Sequence, residues 1–445
     1  MSRWQQSGPN TFTTPFDPIE KITHYYVTIN PHRPQWAITP SATLTSSYSA
    51  SQIKAAWKAL RYHHPAIAVT VDSGKQELVY KSPSPEEVTQ WIEETVSINP
   101  TALSARDVAL LLPVPRSGEI HWLPGTNEVI LHLPHEISDG IGSIILLNRF
   151  IKLLRTQETV STFSGEEERL PPSLLDLIGI KKWREEENYG LDSEGVQTAE
   201  GIFSKFLGSD SVAVGIRGNV DVNTVPTIPY GREEIHLSPE ETAAVVSACK
   251  DAGITVTNAI MAANALTIQQ YDPDGSKKTK ISNLVSVNMR PALDETQGGD
   301  KFQAGGNMFV DTFSVYDLDT SFTALAKEIK KDLTRWKSGE FVPHTPLTNQ
   351  RLQEVATKMG EEGTLGSSGF VVSSLGVVEK YLTEEVKDFW FGISVASVSA
   401  GCLFVWTVGG RLSVAVCYNE VWFGKGVIKG YLKDLVGGLK EGLGI

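Results

Sequence analysis

The chain has 445 residues, 41% of them apolar, and a formal net charge of −12. That length can bury one large core or two ordinary ones, and an acidic balance without a broad basic surface argues against a nucleic-acid partner, whose phosphates Lys and Arg must neutralise. Cys249, Cys402 and Cys417 lack metal-knuckle or redox spacing, the N-terminus M-S-R-W-Q-Q-S-G-P-N-T-F has no apolar leader, and the longest apolar stretch, near 395–408, is too short and too interrupted for a bilayer; a soluble cytoplasmic protein without a membrane span is expected.

Polar and apolar residues alternate in H-Y-Y-V-T-I-N (24–30) and again over 36–45, which predicts two half-buried strands. Ser49 and Gln52 stand in capping-box spacing. Ile53, Ala56, Trp57 and Leu60 then supply one apolar helix face, and Pro65 stops that helix after His63 and His64. The run A-I-A-V-T-V (66–71) reads as a strand, and so does 128–133. From Ile141 the pattern turns helical, with Ile144, Ile145, Asn148, Ile151 and Leu154 at three-and-four spacing. Between 155 and 230 the charged, loop-rich segments E-E-E-R-L-P-P, R-E-E-E-N-Y-G and T-V-P-T-I-P-Y-G predict a crossover.

The second half restarts with a strand, E-E-I-H-L (233–237), then helices near 239–251 and 257–270 and a strand, I-S-N-L-V-S-V-N (281–288). A helix at 321–336 precedes a strongly β region comprising 366–375, 389–399 and the hairpin F-V-W-T-V-G-G-R-L-S-V-A-V-C-Y, turning at Gly409 and Gly410. Strands and helices mix without strict alternation. The fold class predicted is therefore α+β in two lobes: an N-terminal lobe over 1–180, a linker over 181–230 and a C-terminal lobe over 231–445. Neither a solenoid repeat nor a glycine-rich phosphate loop is present in the sequence.

Residues 133–142, L-P-H-E-I-S-D-G-I-G, form the hinge between strand and helix and admit three readings. A zinc-protease helix would need His135 and the residue four later on one face, but Pro134 and Gly140 break such a helix and Asp139 replaces the second histidine, so no metal is expected. A structural corner would use Ser138 or Asp139 as the helix cap. A catalytic corner would hold His135 at the mouth of a strand, its backbone pinned and its ring in a cavity, with Asp139 turned inward to pair with a cation.

H-E-I-S-D-G fits H-x-x-x-D-G and resembles the mark of the CoA-dependent acyltransferase superfamily, which includes chloramphenicol acetyltransferase, plant BAHD acyltransferases, peptide-synthetase condensation domains and fungal alcohol and trichothecene acetyltransferases. Other stretches follow in matching order over almost the whole chain. A-L-R-Y-H-H-P-A-I (59–67) is similar to the family's R-H-P-x-L, V-S-V-N-M-R-P (285–291) to its arginine-ended strand, and G-G-N-M-F (305–309) and V-S-S-L-G (372–376) to strands of its second lobe. D-F-W-F-G (388–392) resembles the BAHD D-F-G-W-G in shuffled form and points to the fungal branch. Pro134 stands where condensation domains carry a second histidine, which argues against a carrier-protein-bound donor.

The resemblance implies two chloramphenicol acetyltransferase-like lobes with a tunnel between them. It implies that His135 takes the proton of an acceptor hydroxyl as general base, without an acyl-enzyme. It further implies that Asp139 shapes the loop by pairing with Arg290, and that Ser373, Ser374 and Asn307 are candidates for oxyanion or substrate contacts. Gly140 is expected to let the backbone turn tightly, Asp388 and Gly392 to maintain the fold, and the lysines 277, 278 and 280 to be solvated or to meet CoA phosphates. The function so implied is transfer of an acyl group, acetyl first, from acyl-CoA as co-substrate to an apolar alcohol of secondary metabolism, with no bound cofactor. A cyclase or pericyclase using His135 without CoA is the alternative on the same fold, and a non-catalytic binding scaffold is the second.

Overall fold

A computed structural model describes residues 3–29, 34–100, 103–184, 186–208, 230–271, 278–293, 304–361, 370–395, 401–420 and 425–445. The chain opens with a short hairpin, β1 (Gln5–Gly8) and β2 (Thr11–Pro15), and then forms α1 (Pro18–Thr28) where the alternation at 24–30 predicted a strand. Helix-start signals outweigh the alternation. Asp17 accepts from the main-chain N–H of Ile19 and Glu20, Glu20 accepts from that of Asp17, and Pro18 occupies the first turn. Arg3 locks this corner by donating to both oxygens of Glu20, at 3.0 and 2.7 Å, and to the Pro171 carbonyl, with both charged side chains buried.

After β3 (Ala37–Leu44), α2 (Ala50–His63) begins on the expected Ser49/Gln52 capping box and buries Ile53, Ala56, Trp57 and Leu60. The strand expected over 66–71 is instead a 3₁₀ turn, Pro65–Ala68, followed by the short β4 (Thr70–Asp72), because the fixed φ of Pro65 starts a tight turn. α3 (Pro85–Thr95) and α4 (Ala105–Ala109) pack on α2 and on β8 (Glu128–Pro134) respectively. α5 (Gly140–Thr156) runs from the predicted hinge, and Ser173 caps α6 (Leu174–Leu177). The stretch expected to be loop-rich contains α7 (Ser193–Gly208), whose Val196, Ala199, Ile202, Phe203 and Phe206 carry a helical spacing that the surrounding charges obscured. The T-V-P-T-I-P segment lies outside the described residues.

Among the described residues three sheets organise these elements. The four-stranded one has the order β1-β2-β5-β4, with β5 at Glu77–Lys81. The five-stranded one adds β6 (Val96–Ile98), β7 (Glu119–Leu123) and β13 (Val386–Ile393) in the order β13-β3-β8-β7-β6. The third joins β9 (Tyr230–His236), β10 (Lys280–Asn288), β11 (Phe309–Asp317), β12 (Val371–Val377), β14 (Cys402–Val408) and β15 (Arg411–Asn419) in the order β11-β10-β12-β14-β15-β9. β13, which carries D-F-W-F-G, comes from the second half of the sequence yet pairs with β3, placing Phe389, Trp390 and Phe391 opposite Ala42, Ser41 and Pro40.

Strand periodicity divides the third sheet between two cores. Leu403, Val405, Val414 and Val416 pack in one core with residues of α8 (Pro239–Asp251), α9 (Val256–Tyr271) and the helices Phe322–Lys337 and Lys425–Leu443. The alternating residues Cys402, Phe404, Trp406, Ala415 and Cys417 pack in the other, with residues of α2, α5 and the five-stranded sheet. One face of this sheet is therefore turned toward the lobe that carries the H-E-I-S-D-G loop. Among the described residues no helix is long and apolar enough to cross a membrane.

Replacing Arg3 by Ala leaves the Glu20 carboxylate buried without its cation and should cost about 3–5 kcal/mol. Denaturant unfolding would measure this, and a loss below about 1 kcal/mol would contradict the anchoring assigned to the pair.

Candidate functional site

β8 ends at Pro134, the chain makes one 3₁₀ turn, His135–Ile137, and Asp139 then caps α5. Asp139 does more than cap. Its Oδ1 accepts the Gly142 N–H at 2.8 Å, its Oδ2 accepts the Met308 N–H at 2.7 Å, and Nη1 of Arg290 donates to both oxygens at 2.9 Å. Both side chains are buried. Asp139 thus caps α5 and bonds Arg290 at the same time. Arg290 is aimed by Asn288, whose Oδ1 accepts from its main-chain N–H and from Nη1 at 3.2 Å each.

The same loop is bound to the second lobe through its backbone. Ser138 and Gly306 form a parallel bridge, and the Gly306 N–H donates to the Ile137 carbonyl at 3.0 Å. Nδ2 of Asn307 donates to the carbonyls of His135 and Glu136 at 3.1 and 3.3 Å. This corrects the expectation for Asn307, since its donor hydrogens hold the loop and are not available to an oxyanion. Glu136, the base position of the zinc motif, instead bonds Nδ1 of His24, on α1, at 3.0 Å in a buried pair. His135, Glu136 and Asp139 therefore meet three different sets of partners.

The His135 ring is half-buried and meets two aromatic rings, Trp36 at 5.8 Å and Phe309 at 5.9 Å, and Tyr26 stacks on Trp36 at 4.8 Å. Burial lowers the pKa of His135, against smaller opposing pulls from its own carbonyl, Asp139, Glu136 and Asn307. The imidazole is consequently neutral near pH 7. Its Nδ1 is buried and makes no hydrogen bond among the described residues. Trp36 has φ of 67°, a conformation costly for so large a side chain, and is held there by its N–H donating to the Ser394 carbonyl at 2.7 Å.

Ser373 and Ser374 separate because neighbours on a strand face opposite ways. Val285 pairs with both Thr312 and Val372, so Ser373 lies on the sheet face shared by Ser286 and Asp311, the face that Phe309 presents to His135. Ser374 lies on the other face, where its hydroxyl is 2.9 Å from that of Thr257 on α9, and it is removed from the candidate contacts. Gly140 also needs correction. It is the first residue of α5 with no positive φ, and an added Cβ would meet Leu375 at 3.1 Å and Phe391 at 3.4 Å, so close packing and not a tight turn explains it.

Asp388 pairs with Arg411 at 3.4 Å on the surface, and an added Cβ at Gly392 would approach the Trp390 ring at 2.9 Å, both consistent with roles in the fold. Lys277 lies outside the described residues. Lys280 is exposed at the start of β10, about 26 Å from the Asn288 end at roughly 3.3 Å per residue. Sequence reasoning missed His24, Trp36, Asn288, Phe309 and Gly142. The last had a signal, the repeated glycine in D-G-I-G: an added Cβ would lie 2.8 Å from Nη2 of Arg290, 2.8 Å from Oγ of Ser138 and 2.9 Å from the Ala304 carbonyl. Gly142→Ala should therefore cost about 1–3 kcal/mol by overpacking and disturb the ion pair. A variant with wild-type melting temperature and activity would contradict this crowding.

No family model matches the chain. The O-acetyltransferase pigM of Monascus ruber is 25% identical over 460 residues, covering 99% of this chain and 87% of that protein. The acetyltransferase pigO of the same organism is 25% identical over 449 residues, covering 94% of each. Among solved structures, the TRI3 trichothecene 15-O-acetyltransferase of Fusarium sporotrichioides matches with a TM-score of 0.81 at 17% identity, over 98% of this chain and 97% of that one. The first condensation domain of the calcium-dependent antibiotic synthetase matches with a TM-score of 0.67 at 11% identity, over 95% of each chain. With its mixed sheets, its strand exchanged between lobes and these likenesses over nearly its full length, the chain has the two-lobed chloramphenicol acetyltransferase-like fold that acyltransferases share with condensation domains.

Proposed function

We propose that the protein is an O-acyltransferase that moves an acyl group, acetyl first, from acyl-CoA to a hydroxyl of an apolar secondary metabolite. The observation that carries this reading is a neutral histidine, His135, set against two aromatic rings on a loop that both lobes hold. Acetyltransferase relatives aligned over nearly the whole chain support the reaction class and the acetyl donor. Three free, buried cysteines suit a reducing compartment, read as the cytoplasm.

In this mechanism the acceptor hydroxyl donates its proton to His135. Nδ1 is the buried nitrogen, so Nε2 is the one that faces the acceptor. As the proton moves, the acceptor oxygen attacks the thioester carbonyl and the carbonyl oxygen gains negative charge, for which the Ser373 hydroxyl is the candidate donor. Collapse of the tetrahedral intermediate breaks the carbon–sulfur bond, and the departing CoA thiolate takes the proton back from the imidazolium. Asp139 and Glu136 favour that transient cation through space, while Asp139 keeps its hydrogen bonds to Arg290 and the backbone throughout. The two aromatic neighbours exclude water that would otherwise compete with the alcohol as nucleophile.

Incubation of the purified protein with acetyl-CoA and a fungal metabolite extract should yield an acetylated product by mass spectrometry, and CoA should raise the melting temperature. Product formation without CoA dependence would favour the cyclase, and neither product nor CoA binding would favour the scaffold. His135→Ala should keep the CoA-induced shift and lose about a hundred- to ten-thousandfold in turnover; a folded variant of wild-type turnover would remove the base. Because the neutral imidazole is the active form and burial lowers its pKa, kcat/KM should hold as the pH falls through 6.5, the ordinary histidine value, and drop only below it. An acid limb at or above that value would contradict the buried base.

A further inference from the structure

The sheet face that carries Phe309 also carries an acid that the acyl-transfer steps leave unused. β10 and β11 pair with Asn288 opposite Phe309 and Ser286 opposite Asp311, and residues paired in register share a face. Phe309 meets the His135 ring at 5.9 Å, so Asp311, two residues further along β11, stands on the same face about 7 Å beyond it. Asp311 is only 8% exposed. Oγ of Ser286 donates to its Oδ1 at 2.8 Å, and its Oδ2 has no hydrogen-bond partner among the described residues. Among the described residues no Lys or Arg contributes to its electrostatics. Burial pushes its carboxyl up to about 6, against an opposing hydrogen bond from Ser286.

Tyr26 lies close enough for the Asp311 charge, after burial itself, to raise the pKa of its phenol, and its ring stacks on Trp36, the neighbour of His135. The Tyr26 hydroxyl makes no hydrogen bond among the described residues. Oδ2 of Asp311 has no partner among the described residues and is not fully buried, so it can meet a water or a ligand hydroxyl. Here the spare oxygen lies along the strand that leads away from the base, within electrostatic reach of a phenol that can donate or accept.

We propose that Asp311 and Ser286, with Tyr26 at their margin, form a polar subsite that binds a second hydroxyl of the acceptor, about 7 Å along β11 from Phe309 and on the far side of that ring's position from the hydroxyl aligned on His135. The acceptor class is accordingly an apolar diol or polyol, an inference that rests on the reading of the His135 site as an alcohol-binding site. A neutral donor fits better than an ammonium, because the burial that disfavours the carboxylate charge would also desolvate a cation. The aromatic rings between base and acid bind the apolar body, and the acid fixes which way round it lies.

The test reads binding, so that it stands apart from turnover. The intact protein is titrated by NMR and thermal shift with 1,5-pentanediol to 1,8-octanediol and with the matching 1-alkanols. The wild type should bind at least one diol about tenfold more tightly than its 1-alkanol, the scale of a hydrogen bond to a charged group. Asp311→Leu should reduce that preference to within about twofold while leaving 1-alkanol affinity in place; if it fails to fold, Asp311→Asn and Ser286→Ala carry the same comparison with a partial loss. Equal binding of diols and alkanols by the wild type, or an undiminished preference in the variants, overturns the subsite. Acetyl transfer from acetyl-CoA is assayed separately: transfer without diol preference sinks the subsite alone, and diol preference without transfer sinks the acyltransferase reading alone.

Discussion

The buried ion pair between Asp139 and Arg290 is the constraint on which the site depends. Taking two charges out of water costs several kcal/mol per ion, and the attraction between them offsets that only if every remaining hydrogen-bonding position is used. Here nearly all of Asp139 is committed: Arg290 reaches both oxygens, the first turn of α5 takes one and the Met308 N–H takes the other. Arg290 and Met308 belong to the second lobe, and Asp139 and Gly142 to the first. One carboxylate therefore ends a loop, starts a helix and joins two halves of the molecule.

His135 needs no strong partner of its own because this frame fixes its backbone. Asn307 holds its carbonyl, Gly306 holds Ile137, and His24 holds the neighbouring Glu136 from α1. The ring is then free to be positioned by packing alone, against Trp36 and Phe309. Burial among aromatics that lack charge keeps the imidazole neutral, the form a general base requires. The backbone conformation of Trp36, unfavourable for a bulky residue, is one cost of that arrangement, met by the exchanged strand through Ser394.

Much of this was legible in the sequence, and the failures have physical causes. His135, Asp139 and Arg290 stood out because a proline-bounded corner between a strand and a helix limits what a histidine and an aspartate can do there, and the resemblance supplied the distant arginine. Caps, apolar spacing and the glycine-paired hairpin located most elements. Reading 24–30 as a strand concealed His24 and Tyr26, although D-P-I-E just before them is a helix start of the strongest kind. Treating Ser373 and Ser374 alike ignored the alternation that sends them to opposite faces. Asp311 was passed over because an acid inside V-D-T-F-S-V reads as the solvent side of a strand, and only the register against Ser286 reveals a buried face. The crossing of β13 into the first sheet is a non-local pairing, which local pattern does not encode.

The central claim, that the pair acts as one unit holding the loop, is tested most directly by a double-mutant cycle on Asp139→Ala and Arg290→Ala, read by equilibrium unfolding. Each single change strands a buried charge and should cost about 3–5 kcal/mol. The double variant strands neither and should be less damaging than the sum by about 1–3 kcal/mol, the range for residues in direct contact. Costs that add to within about 0.5 kcal/mol, as they do for independent sites, would contradict the account.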